Sequence, residues 1–264
     1  MRERQIEAMY RARFDERRHA TEALDALLGE ASAGRDTATR AWFVAVAHPR
    51  LPRTLDRLSL ERARAIFRKA QSLTLIYAGR GGVHPLESVE VLNPRPGLRH
   101  WSAVSATSER SRWREAWASI HHDGSVSLTA TIGAHRMSSG ANFEGWQVQS
   151  SGIECAVADF MALIRTTADA IGGGEYDARV VIAWSGEHPL EILTVDNFGS
   201  SYSGVSTPLH VYTPVEVTVI ADASDRPYHL QVHDLAQDCV NQGGVSTLQL
   251  IQPPSPEEGG TDEP

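Results

Sequence analysis

Two decapeptides carry the most suggestive chemistry in the chain. His84-Pro85-Leu86-Glu87-Ser88-Val89-Glu90-Val91-Leu92-Asn93 lies in register on His188-Pro189-Leu190-Glu191-Ile192-Leu193-Thr194-Val195-Asp196-Asn197, sharing His, Pro, Leu, Glu, Val and Asn. A base and a carboxylate presented twice suggest a duplicated ligand site, with His84, Glu87, His188 and Glu191 meeting in a pocket between two repeats. A structural reading accounts for the same residues. Proline holds the preceding residue in extended backbone, so the motif also serves as a repeated turn that launches an edge strand.

The remaining clusters have weaker signatures. His229 and His233 stand four apart on an expected helix, which brings two imidazoles to one face as in half a zinc site. Leu230 occupies the place of the glutamate base, and no third ligand can be assigned. His121-His122-Asp123 falls in a hairpin turn. Gly79-Arg80-Gly81-Gly82 matches neither the dinucleotide fingerprint nor the P-loop spacing, and Gly199 to Gly204 misses the nucleophile-elbow spacing. The residue pattern therefore calls for no catalytic residue, no metal and no cofactor. Cys155 and Cys239 read as buried free thiols. The six tryptophans fall mostly on expected strands, where aromatics pack.

The elements that would position these residues follow from hydrophobic periodicity. Ile6, Tyr10, Phe14, Leu24, Leu27 and Leu28 form the stripe of a long amphipathic helix over Glu3 to Ala31, flanked by Arg11, Arg13, Arg17 and Arg18. Trp42 to Ala47 is a strand buried on both faces. A helix starts after Ser59 and gives way to an apolar strand, Leu73 to Ala78. Trp117 to His122 and the alternating Val126 to Ile132 make a hairpin about Asp123-Gly124.

Ser151 and Glu154 have capping-box spacing for a helix whose stripe is Ile153, Val157, Phe160, Ile164, Ala168 and Ile171, ended by Gly172 to Gly174. Strands at Val180 to Trp184 and Val215 to Ala221, a helix from Pro227 to Asn241 and a strand from Val245 to Ile251 complete the pattern. Pro253 to Pro264 has too few apolar side chains to order.

The bulk composition narrows the classes. The chain has 264 residues, is 41% hydrophobic and carries a net charge of -8. Its 25 basic residues include one lysine, Lys69, an arginine bias that suggests a GC-rich bacterial coding sequence. Fifteen of them precede residue 70, against ten acids, so any phosphate contact is expected in that first quarter, through Arg11, Arg13, Arg17 and Arg18. No apolar run is long enough to span a membrane, and Met1 to Tyr10 carries charges where a signal peptide would be apolar. A cytoplasmic location is expected.

Ile6-Glu7-Ala8-Met9-Tyr10-Arg11-Ala12-Arg13-Phe14, with the arginine-rich helix beyond it, resembles the segment that ends the Schlafen-type AlbA-like putative DNA-binding domain of many bacterial proteins. The likeness covers about thirty residues, and the AlbA-like core that would come before Ile6 is not in this sequence. No family catalytic residue is therefore carried over. The resemblance implies that the remainder corresponds to the region downstream of that domain, in a DNA-associated or defence-related system.

The expected fold is α+β (α/β): internally duplicated strand-helix-strand-strand units forming a mixed sheet with helices packed on it, after the long N-terminal helix. The divisions are residues 1–34 (helix), 40–135 (first repeat with hairpin), 136–252 (second repeat and a partial third unit) and 253–264 (disordered acidic tail). The expected function is a non-enzymatic regulatory or protein-interaction module, self-associating or binding a protein partner through residues 1–34. The alternatives are a small-molecule binder or enzyme with its pocket between the repeats, and a nucleic-acid accessory protein using the arginine strip.

Overall fold

The computed structural model describes residues 19–52, 57–106, 113–136, 142–195, 201–202 and 206–254. Arg11, Arg13, Arg17 and Arg18, the AlbA-like segment, most of the 199–204 loop and nearly all of the acidic tail lie outside them. So does the first half of the expected N-terminal helix, whose described part, α1, covers residues 19–32.

The central strand β1 (Trp42–Pro49) is buried on both faces and antiparallel to β5 (Val126–Thr131) on one side and β7 (Glu175–Ala183) on the other. Outward from β5 come β4 (Ala116–His121), β3 (His100–Val104) and β2 (Arg95–Pro96), and beyond β7 lies β10 (Val215–Ile220). All six pairings are antiparallel, so the sheet is not the mixed one expected. Segments 40–135 and 136–252 both contribute strands to it. A separate small sheet joins β6 (Gln147–Gln149), β8 (Glu191–Val195) and β9 (Ser201–Tyr202).

The two-residue period of the strands sorts the faces. Phe43, Ala45, Ile120, Leu128 and Val180 point inward, where α2 (Leu60–Ala78), α4 (Ser150–Ile171) and α5 (Asp225–Asn241) bury the main core with them. Helix α4 lies among these elements and is buried nearly all round, its polar side chains included. The opposite face carries Trp42, Val44 and Val46 at its centre, and only α1, among the described helices, lies on it. Leu24, Leu27, Leu28 and Ala31, at helical spacing, pack there with Trp117 and Ala183 as a second, separate cluster.

Four expectations change. Residues Leu73 to Ala78 are not a strand: Ala63, Ile66, Phe67, Ala70, Thr74, Tyr77 and Ala78 keep one buried stripe, so α2 runs on to its Gly79 cap with Ile76 left outside. The N-cap of α4 is Gln149 rather than Ser151, and Glu154 is committed elsewhere. Residues 245–251 form no strand; the amides of Gln249, Leu250 and Ile251 go to Glu154 instead of a neighbouring strand. The polar residues of β5 are buried as well as the apolar ones, because α1 covers them; the Thr129 hydroxyl donates to the Ala31 carbonyl of α1.

The two decapeptides also part company. In the first, Pro85–Ser88 is the short helix α3 with His84 as its N-cap. In the second, residues from Glu191 onward are strand β8, paired with β6 and β9. Their neighbours differ as well as their backbones, so the segments are not equivalent halves of a duplicated unit. The shared residues adopt whichever conformation their neighbours can satisfy with hydrogen bonds.

Candidate functional site

The four residues of the expected ligand site do not converge. His84 is enclosed between α2, α3 and α4, whereas Glu87 is exposed on α3. His188 is exposed and stacks on Trp146 with ring centroids 4.1 Å apart, and Glu191 begins β8 beside Gln147. Among the described residues, no hydrogen bond, ion pair or ring contact links the two histidines.

His84 sits in a polar cluster of its own. Its Nδ1 lies 2.7 Å from Asp159 Oδ1 and its Nε2 2.7 Å from the Gly79 carbonyl oxygen. Both partners are acceptors, so both ring nitrogens must donate and the ring is an imidazolium. Asp159 also accepts from the Thr74 hydroxyl and, at 2.6 Å, from the Leu86 amide. Burial opposes the charge, yet the hydrogen bond and charge of Asp159, with Cys155 behind them, raise the His84 pKa to about 11.

Cys155 resembles a nucleophile beside a His-Asp pair, but the geometry opposes that role. Burial raises its thiol pKa, and Gly82 covers the sulfur so closely that a methyl group there would stand 2.5 Å from Sγ. The cluster instead joins α2, α3 and α4 through paired charges. Cys239, the other thiol, is likewise buried and pushed up to about 12 by burial.

Glu154, five residues before Asp159 on α4, receives three successive backbone amides: Gln249 at 3.0 Å, Leu250 at 2.7 Å and Ile251 at 3.0 Å. Burial raises its pKa above the ordinary value, and these amides offset only part of that rise. Such an amide concavity is the protein's own form of an anion site, filled here by a side chain from within. It holds residues 245–251 over the α4 N-terminus, with Leu250 against Gly81 and Gly82.

The open chemistry lies on the α1 side of the sheet. Antiparallel pairing sets His100 opposite His121 and Ser102 opposite Ser119, and the imidazole centroids are 5.0 Å apart. Glu30, at the end of α1, places its Oε1 3.5 Å from His100 Nδ1, a buried nitrogen with no hydrogen-bond partner. These three residues and Ser119 line a cavity of about 150 Å³, together with Arg35 and Trp117. The Arg35 guanidinium lies 3.6 Å from the Trp117 ring centre. Burial first, and then the neighbouring His100, lower the His121 pKa, which keeps that ring neutral and able to accept.

Among the described residues, Glu30, His100 and His121 are the group whose donor atoms, one from each, all lie within 4.8 Å of one another. His229 and His233 do not acquire a third donor: His229 meets Tyr77 edge-on, and His233 pairs with Asp234. On the other flank of α1, Arg179 bridges Asp25 of the helix to Glu216 of β10, the latter at 2.8 Å.

Of the groups that matter here, the sequence marks His84 and His121 as candidates for chemistry, Cys155 as a buried thiol and Glu154 as a helix cap. A trace of Asp159 and Glu154 was present, since both are carboxylates within an otherwise apolar helical stretch. No comparable signal marked His100 or Glu30, whose roles depend on strand register and on the docking of a distant helix. In comparisons with known proteins, no family model matches the chain and no curated protein resembles it.

Proposed function

We propose that the protein is a non-enzymatic regulatory or protein-interaction module that works through its N-terminal helical segment. The observation that carries this reading is the separation of α1 from the main core. Leu24, Leu27, Leu28 and Ala31 close a small cluster of their own on Trp42, Val44, Val46 and Trp117, while α2, α4 and α5 complete the core on the far side. An element attached through its own minor cluster can be released or exchanged at less cost than one belonging to the core.

The AlbA-like resemblance of the residues leading into this helix supports a DNA-associated or defence-related setting and a protein partner or second copy as the object of docking. The dispersal of His84, Glu87, His188 and Glu191 removes the geometric support for a ligand pocket between repeats.

The test is sedimentation velocity and native mass spectrometry of the full chain across a concentration range, with and without Leu24→Asp and Leu28→Asp. The expected result is a larger species, either a self-associated form or a complex retained from the native host, that is absent in the variant while the core stays folded. A monomer without companions in both proteins overturns the reading. Salt-sensitive DNA binding lost on replacing Arg11, Arg13, Arg17 and Arg18 would instead favour the nucleic-acid alternative.

A further inference from the structure

The cavity at the end of α1 combines features that the fold itself leaves unexplained. His100 Nδ1 is a buried polar atom with no hydrogen bond, an arrangement that costs roughly 1–3 kcal/mol unless something else satisfies it. Its neighbours are a second imidazole, His121, and the Glu30 carboxylate, whose side chain is 57% exposed and free to turn. On the sheet, Ser102, Ser119, Ser127 and Thr129 add hydroxyls to the wall beside Trp117, and Leu27, Ala31 and Arg35 close the other side.

From this geometry we propose that Glu30, His100 and His121 form a binding site for a single Zn²⁺ ion, with its fourth position open to the cavity. Two imidazoles and one carboxylate are a donor set that borderline divalent ions prefer, and zinc accepts it in tetrahedral form with an outer position for water. Bonds of about 2.0–2.2 Å put tetrahedral donors roughly 3.3–3.5 Å apart. The donor atoms here all lie within 4.8 Å, and rotation of the exposed Glu30 side chain closes the difference. The two histidines stand on paired strands, which fixes their spacing in advance. A cavity of about 150 Å³ holds the ion with a few waters.

The site has a structural consequence. Its carboxylate belongs to α1 and its imidazoles to the sheet, so a bound ion ties the helix down. The metal site stands without any assumption about function. Its regulatory meaning, metal-controlled docking of α1, rests on the reading given above.

The test uses the full chain, stripped with a chelator and titrated with Zn²⁺ against a chromophoric competitor, with Co²⁺ as a spectroscopic probe. One equivalent is expected to bind and to give the absorption of four- or five-coordinate Co²⁺. Imidazole nitrogen resonances of His100 and His121 should move. H100A or H121A should weaken binding by about 100-fold, and E30Q by about tenfold. The H229A/H233A variant should bind like the parent. E30Q changes an exposed residue and keeps the comparison usable should a histidine variant fold poorly.

The absence of binding up to about 1 mM metal overturns the site, as does binding that survives H100A/H121A or is lost in H229A/H233A. Hydrogen exchange over 19–32 separates the two claims. Slower exchange with Zn²⁺, absent in E30Q, supports the helix clamp. Stoichiometric binding with unchanged exchange leaves the site standing and overturns the regulatory role.

Discussion

His84 and Asp159 meet at 2.7 Å with neither side chain reaching solvent, and the carboxylate that neutralises the imidazolium also holds the Leu86 amide and the Thr74 hydroxyl. Removing one member strands the other as a buried charge. Asp159→Asn or His84→Ala should therefore cost about 3–5 kcal/mol in urea denaturation. A double replacement by leucine should cost less than the two single changes summed, because it leaves no unpaired charge.

The same pair sets a pH dependence. The folded-state pKa of His84 lies above its ordinary value of 6.5, at about 11. Its contribution to stability is thus complete below 6.5 and declines as pH rises toward 11. Nitrogen-15 NMR at pH 9 should show both ring nitrogens still protonated. The stability difference between the parent and His84→Gln should shrink as pH climbs through that window.

Glu154 anchors residues 245–251 by accepting three amides. Glu154→Gln keeps the size and loses the charge and one acceptor, so stability should fall by about 1.5–3 kcal/mol. Hydrogen exchange at Gln249, Leu250 and Ile251 should accelerate well before that of the sheet.

Helix α1 and the main core should come apart independently. Leu24→Ala removes a buried side chain from the small cluster, with an expected cost of about 2 kcal/mol. Exchange should accelerate across 19–32 and leave α4 and β1 protected. Equal acceleration in α4 would show that the two clusters form one cooperative unit.

Local pattern alone determined much of this protein. The apolar run at Trp42 marked the central strand, Asp123-Gly124 the hairpin, and the stripe from Ile153 to Ile171 the enclosed helix, because strand and helix periods follow from backbone geometry that neighbouring residues share. Tertiary structure decided what Leu73 to Ala78 became, since an apolar run of six suits a strand or the last turns of a helix until its packing partner is present. It also put Pro85, Leu86 and Glu87 into a helix while their counterparts lead into a strand that opens at Glu191, and it gave Glu154 to residues 249–251 instead of its own helix cap. The meeting of Glu30, His100 and His121 lay furthest from the sequence. It requires the β3–β4 register to pair the two histidines and α1 to dock across the sheet, both long-range events with no trace in residue spacing.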